Sequence, residues 1–404
     1  MIAEKKKKKA KKWIQPQHKI LIPFLRELVR PLFLGMYGCK VERFKEENGR
    51  QYLVLANHQT GFDQFFPSFA FKQHLYYVAS EDIFSMGWLS RIIQWLAAPI
   101  PIKKQVTDIR AVMSCMKVAK EGGSIMIFPE GNRTFSGETV YINPAIGGLA
   151  KKLGLPIAFL KIDGGYGVQP RWSDVRRKGK MRVYVSSVLE PDVYKAWSND
   201  MLYQHIRKEL YQNEANSSGT FIHKNSAEYI ERVLYVCPHC GITHFESHGD
   251  TVACTACGRK AKYLPTTEFS GDFQFRYMLD WYNYQQDYVN GLDTLSLSQQ
   301  PIILDHCNLY QVSLYSKKQL LAENVELSLY GDRIEMSGGF KEVFRFCEVE
   351  NITILGKNKL NIYHSDMVYQ IQSDKRFNAL KYLNLYHRYK NLTSEVQNGS
   401  FLGL

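Results

Sequence analysis

Between about residues 50 and 190, short apolar runs alternate with stretches of helical period. The runs at 52–56, 75–79, 124–127, 156–162 and 181–185 suit buried strands, bounded as they are by polar turns. Ile109, Val112, Met113 and Met116 recur at the spacing of one helix face, and Gly122-Gly123 closes that helix over 109–120. A further helix over 147–153 ends at Gly154. Alternation of this kind predicts an α/β fold, a mostly parallel sheet flanked by helices. Ahead of it, residues 19–37 are mostly apolar, and Lys19, Arg26, Glu27 and Arg30 fall 7, 1 and 3 apart, on one side of a helix. Such a segment lies in a membrane interface, since a span would bury its charges, and Pro23 and Pro31 would interrupt the helix. A helix pair packed on the protein's own core fits the same pattern. A signal peptide does not, because the charges are too many and no small-residue cleavage site follows. Nothing else in the chain suits a transmembrane span.

The pattern changes after 211–225, whose Asn, Ser and Gly content reads as a linker or loop. Four cysteines fall within 234–264, and Phe273, Tyr277, Trp281, Tyr284 and Tyr288 then recur at helical intervals. From about residue 302 the chain is strand-rich: Val325, Leu327 and Leu329 alternate, and 359–364 and 367–371 flank a Ser365-Asp366 turn. A closing helix over 375–390 presents Phe377, Leu380 and Leu383. The simplest account of this tail is a small antiparallel barrel or sandwich capped by a helix, which resembles pleckstrin-homology-like and GRAM modules that bind lipid or protein. The expected organisation is therefore an arm with an interface helix over 1–40, an α/β domain over 41–215, a zinc-ribbon insert over 230–265, a helix over 268–290 and a strand-rich domain over 300–392.

Composition adds two points. Of the net charge of +13, the first twelve residues carry +6, from Lys5–Lys9, Lys11 and Lys12 against Glu4. A polybasic arm of this kind suits an anionic membrane surface, where each lysine contributes about 1 kcal/mol. It also suits a solubilising or nuclear-localisation role. The remaining +7 is a modest excess, and aromatics do not interleave with basic clusters, so nucleic acid is an unlikely partner. The second point is cysteine. Cys39, Cys115, Cys307 and Cys347 are isolated and read as buried, inert thiols. Cys237, Cys240, Cys254 and Cys257 form C-x2-C-x13-C-x2-C, each pair followed by a glycine, the pattern of a zinc ribbon in a reducing compartment. Four thiolates close a tetrahedral site, so the zinc is expected to be structural; His239, His244 and His248 are alternative ligands.

The chemistry sits at two strand ends. Asn57-His58-Gln59-Thr60-Gly61-Phe62-Asp63 follows the first apolar run, and Phe128-Pro129-Glu130-Gly131-Asn132-Arg133-Thr134 follows the third. A neutral imidazole at His58 can take a proton from a substrate hydroxyl, while Asp63 fixes its tautomer. This is triad logic with a substrate alcohol in place of serine, and no G-x-S-x-G elbow occurs in the chain. Arg133 offers a planar fork for phosphate, Glu130 can accept from a hydroxyl or brace the arginine, and Gly131 admits close backbone approach. The two loops converge if their strands are parallel in one sheet, since ligands bind beyond the carboxyl ends of such strands.

These two motifs, in this order and about 70 residues apart, resemble the lysophospholipid/glycerol-phosphate acyltransferase family over roughly residues 40–200. The resemblance implies that His58 and Asp63 are catalytic and that Glu130, Gly131 and Arg133, with Asn57, bind the acceptor. Lys104 stands in Ile100-Pro101-Ile102-Lys103-Lys104 where the family commonly has arginine; it keeps the charge but loses the fork. Asn132 replaces the usual threonine, Phe159 replaces a proline, and Asn143-Pro144-Ala145-Ile146 lacks the usual Lys-Gly. The implied reaction moves an acyl group from a thioester of coenzyme A or acyl-carrier protein to lysophosphatidic acid, forming phosphatidic acid. Glycerol 3-phosphate or another lysophospholipid is an alternative acceptor. The implied setting is peripheral, on the cytoplasmic face of a membrane. The readings from other classes are a zinc-ribbon nucleic-acid-binding protein and an inactive scaffold.

Overall fold

In the computed structural model the described residues are 12–80, 83–84, 87–102, 108–313 and 318–393. The polybasic run and Lys104 fall outside them. Helix α1 (Pro16–Tyr37) is followed by β1 (Cys39–Val41), β2 (Leu53–Ala56), α2 (Phe65–Ala70), β3 (Leu75–Ser80), α3 (Trp88–Ala97) and β4 (Ile100–Ile102). Then come α4 (Ile109–Lys120), β5 (Ser124–Ile127), α5 (Ala145–Leu153), β6 (Ile157–Asp163), α6 (Gly165–Val168), β7 (Met181–Leu189), α7 (Pro191–Tyr194) and α8 (Asn199–Leu210). Strands β1 to β7 form one sheet in the order β1-β7-β6-β2-β5-β3-β4. Neighbours are parallel throughout except β6 and β7. The mostly parallel, helix-flanked sheet is thus present. Every residue of β2 and β5 is buried, as expected of central strands covered on both faces.

One sequence expectation changes, and two points the pattern left open are decided. Pro23 and Pro31 do not break α1, which runs unbroken for 22 residues. Arg26 turns inward and donates to the carbonyls of Phe71 and Lys72 at 2.7 and 2.8 Å, while Phe33 stacks on Phe65 at 4.4 Å. Left outside are Ile20, Phe24, Leu28 and Leu32, every fourth residue, each between 61% and 75% exposed. Helix α4 has the expected limits, and the face picked out by its period points outward. Ala111, Cys115 and Val118 are buried, whereas Ile109, Met113 and Met116 are exposed. The segment 211–225 is a loop, one of the two readings its composition allows, and it is packed down. Its Phe221 is buried, and a Cβ on Gly167 or Gly179 would fall 2.2 or 2.3 Å from that ring. Both positions accept only glycine for this reason.

The second half of the chain begins with the ribbon β8 (Val236–Cys237) and β9 (Gly241–Ile242). An antiparallel sheet follows, made of β10 (Phe245–His248), β11 (Thr251–Cys254), β12 (Lys260–Tyr263) and β13 (Phe269–Gly271). Helix α9 (Met278–Gly291) starts later than the aromatic period suggests, because Phe269 to Gly271 pair with β12. Phe273 still packs against Trp281 from outside the helix, at 4.6 Å. The tail holds β14 (Ile303–Val312), β15 (Gln319–Leu329), β16 (Arg333–Ser337), β17 (Glu342–Arg345), β18 (Asn351–Leu355), β19 (Lys359–His364) and β20 (Met367–Gln372). These form one antiparallel sheet, β17-β16-β15-β14-β20-β19-β18, with α10 (Leu380–Thr393) packed against it. Its end strands β17 and β18 are not paired with one another, so it is an open half-barrel rather than a closed one. Of the isolated cysteines, Cys39, Cys115 and Cys307 are buried; Cys347 is exposed, against expectation.

One hydrophobic core spans the two halves. Phe135, Tyr166 and Trp172 of the α/β part pack with Val236, Trp281, Ile354 and Leu385. The units separated by pattern therefore share an interior.

Candidate active site

Strands β2 and β5 lie side by side and parallel, with Leu55 opposite Ile127. Their carboxyl ends are level, so the 57–63 and 128–134 loops leave the sheet next to each other. Asp63, fully buried, collects four donors. His58 Nδ1 lies 2.9 Å from its Oδ2, the amides of Gln59 and Thr60 donate to the same oxygen at 2.5 and 2.8 Å, and the Thr60 hydroxyl donates to Oδ1 at 2.5 Å. A carboxylate so held is fixed in place, and it fixes the imidazole tautomer in turn. With Nδ1 donating to Asp63, the neutral ring carries its lone pair on Nε2. The His58 side chain is 21% exposed and that of Asp63 0%, so the base is reachable and its partner is not. Phe128 stacks on the imidazole at 4.4 Å and 22°, which restricts ring rotation.

Glu130 joins the loops. Its Oε1 accepts from the His58 amide at 2.8 Å and its Oε2 from the Val140 amide at 2.9 Å. Burial pushes its carboxyl up to about 8 despite these two donors. No ion pair with Arg133 forms among the described residues; the carboxyl group braces backbone instead. Gly131 has φ +65°, and no protein atom lies within 4 Å of where a Cβ would be. The glycine thus serves the left-handed turn and leaves open space above it. Arg133 Nη1 is buried without a hydrogen-bond partner among the described residues, beside Gly61, whose Cβ position lies 3.5 Å away. Burial lowers the pKa of Arg133, with Asp63 and Tyr37 opposing that shift. An orphaned, desolvated guanidinium nitrogen within the Asp63 field is what an incoming anion would satisfy.

Asn57 is placed differently from expectation. Its amide donates to the Ile162 carbonyl at 2.9 Å and accepts from the Ile162 amide at 2.8 Å, so it clasps β2 to β6. Gln59 ties the same loop to α6, accepting from the Tyr166 amide at 2.7 Å. The structure thus brings His58, Asp63, Glu130, Gly131 and Arg133 together, turns Asn57 into scaffold, and leaves Lys104 outside the described residues. Phe128 and Thr60 lay within the quoted motifs, but spacing alone gives neither a stacking nor a carboxylate-bracing role.

A mostly parallel α/β sheet thus carries a His/Asp pair and an arginine loop at adjacent strand ends. Residues 40–161 match the family model described as Acyltransferase. No curated protein sequence matches the chain. Among solved structures, the 1-acyl-sn-glycerophosphate (LPA) acyltransferase PlsC from Thermotoga maritima is 20% identical, with a TM-score of 0.39, over 47% of this chain and 77% of that one. The N-terminal PH domain of human ARAP2 overlaps 24% of this chain and 86% of its own at a TM-score of 0.18 and 13% identity.

The cysteine cluster lies apart from this site. The four sulfurs of Cys237, Cys240, Cys254 and Cys257 are all within 4.8 Å of one another. Cys237 and Cys257 are separated by 3.8 Å, Cys254 and Cys240 by 4.0 Å. Thiolates around a zinc at about 2.3 Å stand about 3.8 Å apart, so the set fits a tetrahedral ion. Gly241 and Gly258 adopt φ +76° and +73°, the left-handed turns the two knuckles require.

Proposed function

We propose that the protein transfers a fatty acyl group from a thioester of coenzyme A or acyl-carrier protein to the hydroxyl of lysophosphatidic acid, forming phosphatidic acid. The observation that carries this reading is the pairing of a braced His58 with an orphaned Arg133 on adjacent loops. His58 Nε2 takes the hydroxyl proton as the oxygen attacks the thioester carbonyl. The tetrahedral intermediate collapses with cleavage of the C–S bond, and the departing thiolate receives the proton from the imidazolium. Asp63 stabilises that imidazolium. Arg133 holds the phosphate, and Glu130 keeps the base loop and the arginine loop in register. In this reading residues 41–215 are the catalytic unit, with Lys104 a further phosphate contact.

The setting we propose is the cytoplasmic face of an anionic membrane. Among the described residues no helix is long and apolar enough to cross one. The outward stripe of α1 and the exposed Trp88, Ile92 and Trp95 of α3 offer apolar surface, and the lysine arm precedes α1. The cysteine cluster is read as a structural zinc site, in which the thiolates hold the fold and take no part in the reaction.

The deciding experiment measures acyl transfer from acyl-CoA and acyl-carrier protein to lysophosphatidic acid, glycerol 3-phosphate and other lysophospholipids. His58→Ala should lower kcat by about 10³-fold with the fold intact. Equal rates for wild type and variant would exclude His58 as the base.

A further inference from the structure

We propose that Arg171 is a positioning residue through which the β18–β19 turn of the C-terminal sheet sets the loop that grips the acceptor. The inference rests on the acyl-transfer reading for its functional side, and on geometry alone for its structural side. Arg171 is buried, and its guanidinium donates to three carbonyls from two parts of the molecule. Nη1 reaches the Arg133 carbonyl at 2.8 Å, Nε the Gly356 carbonyl at 2.8 Å, and Nη2 the Ile354 carbonyl at 3.1 Å. Its face lies over the Phe135 ring at 4.1 Å. A fork with donors on fixed vectors ties these carbonyls in one plane, which a lysine would not do.

The cost of this arrangement argues for a purpose. No carboxylate pairs with Arg171 among the described residues, and burial drives its guanidinium down to about 9, with the like charge of Arg133 adding to the shift. A buried cation bonded only to carbonyls is an expensive way to join two surfaces. What it fixes is a gripping residue whose Nη1 has no hydrogen-bond partner among the described residues. The rest of the loop is held by Glu130, three positions earlier, and by a long 3.4 Å bond from the Thr134 amide to the His58 carbonyl. Arg133's own backbone is therefore secured from the far side, by Arg171.

The anchor on that far side is itself braced. Gly356 sits in the turn at φ +66°, which presents its carbonyl to Arg171. Beside it, Lys357 pairs with Asp174 at 2.5 Å, and Arg232 pairs with the same carboxylate at 2.8 Å while donating to the Trp172 carbonyl at 2.8 Å. Against the burial that would raise it, these cations hold the Asp174 carboxyl down at about 2. Residues 171–174 thus form a hinge plate between the acceptor loop and the C-terminal sheet, and a shift of the β18–β19 turn is felt at Arg133.

The test is Arg171→Met and Arg171→Lys in the full chain, with acceptor KM, donor KM and kcat measured separately. The methionine variant should raise acceptor KM by about tenfold, with donor KM unchanged and kcat within about threefold. Arg171→Lys should recover only part of the loss. Unchanged acceptor KM, or a fall in kcat with both KM values moving together, overturns the positioning role. If Arg171→Met does not fold, Gly356→Val displaces the same carbonyl from the other side and should shift acceptor KM in the same sense; no shift overturns the proposal. Hydrogen exchange keeps this separate from the function itself. If the wild-type enzyme acylates none of the acceptors, the acyl-transfer reading fails. Arg171→Met should still speed exchange at 130–137 by about tenfold while 109–120 is unaffected. Unchanged exchange there would remove the link whatever the reaction is.

Discussion

Asp63 receives hydrogen bonds from His58, from both polar groups of Thr60 and from the Gln59 amide, all within its own loop. That is why H-x4-D could be read from sequence: the pair is local, and the turn that closes it is made of the residues between. Glu130 was less legible. Its spacing marked it as a site residue, but its actual partners are amides at positions 58 and 140, set by strand adjacency. Burial raises its pKa from 4.5 to about 8, so the folded protein keeps a proton that the unfolded chain releases over that range. Stability should therefore fall as pH rises from about 4.5 to about 8. Glu130→Gln, followed by denaturation across this window, should show a slope shallower by up to ~1.4 kcal/mol per pH unit. An identical slope would mean that Glu130 is not the buried acid.

Helix periodicity located α4 and α1 but did not decide which face meets the core. Both helices carry two apolar faces, and a sequence window reports the presence of a face, not the side on which the sheet lies. In α1 the inward Arg26 finds carbonyls at 71 and 72, contacts that no local pattern encodes. The result is a stripe of Ile20, Phe24, Leu28 and Leu32 facing away from the protein. Because Val29 and Phe33 of the same helix pack on the core, deleting residues 1–40 would also damage the fold. Substitution is the cleaner test. Leu28→Asp with Leu32→Asp should weaken co-sedimentation with phosphatidylglycerol vesicles by at least about tenfold at unchanged melting temperature. Unaltered binding would place the membrane contact elsewhere.

The shared core makes the molecule more than its segments. Trp172 and Tyr166, from the α/β part, lie in one cluster with the residues around the cysteine ribbon and the final helix. Helix α9 seals the ribbon, since Gln285 accepts from the amides of Tyr235 and Val236 at 2.7 and 3.0 Å. Loss of metal should therefore destabilise the whole chain and not the ribbon alone. Cys254→Ser, or chelation, should lower the melting temperature by about 10 °C in a single transition, with one zinc lost per chain by elemental analysis. A separate low-temperature step confined to the ribbon would show that the two halves melt independently.

The residue order by itself determined the local chemistry and the period of each element: the His/Asp loop, the Glu/Arg loop, the cysteine knuckles with their glycines, and the alternation that makes a covered parallel sheet. These depend on neighbours within a few positions, and side-chain type suffices to state them. Tertiary structure alone decided which helix faces point outward, that 211–225 is strapped down by Phe221, and that Arg133 is held from residue 356 through Arg171. Those outcomes come from contacts between positions tens to hundreds of residues apart, where burial and carbonyl geometry choose among partners that the linear pattern leaves equivalent.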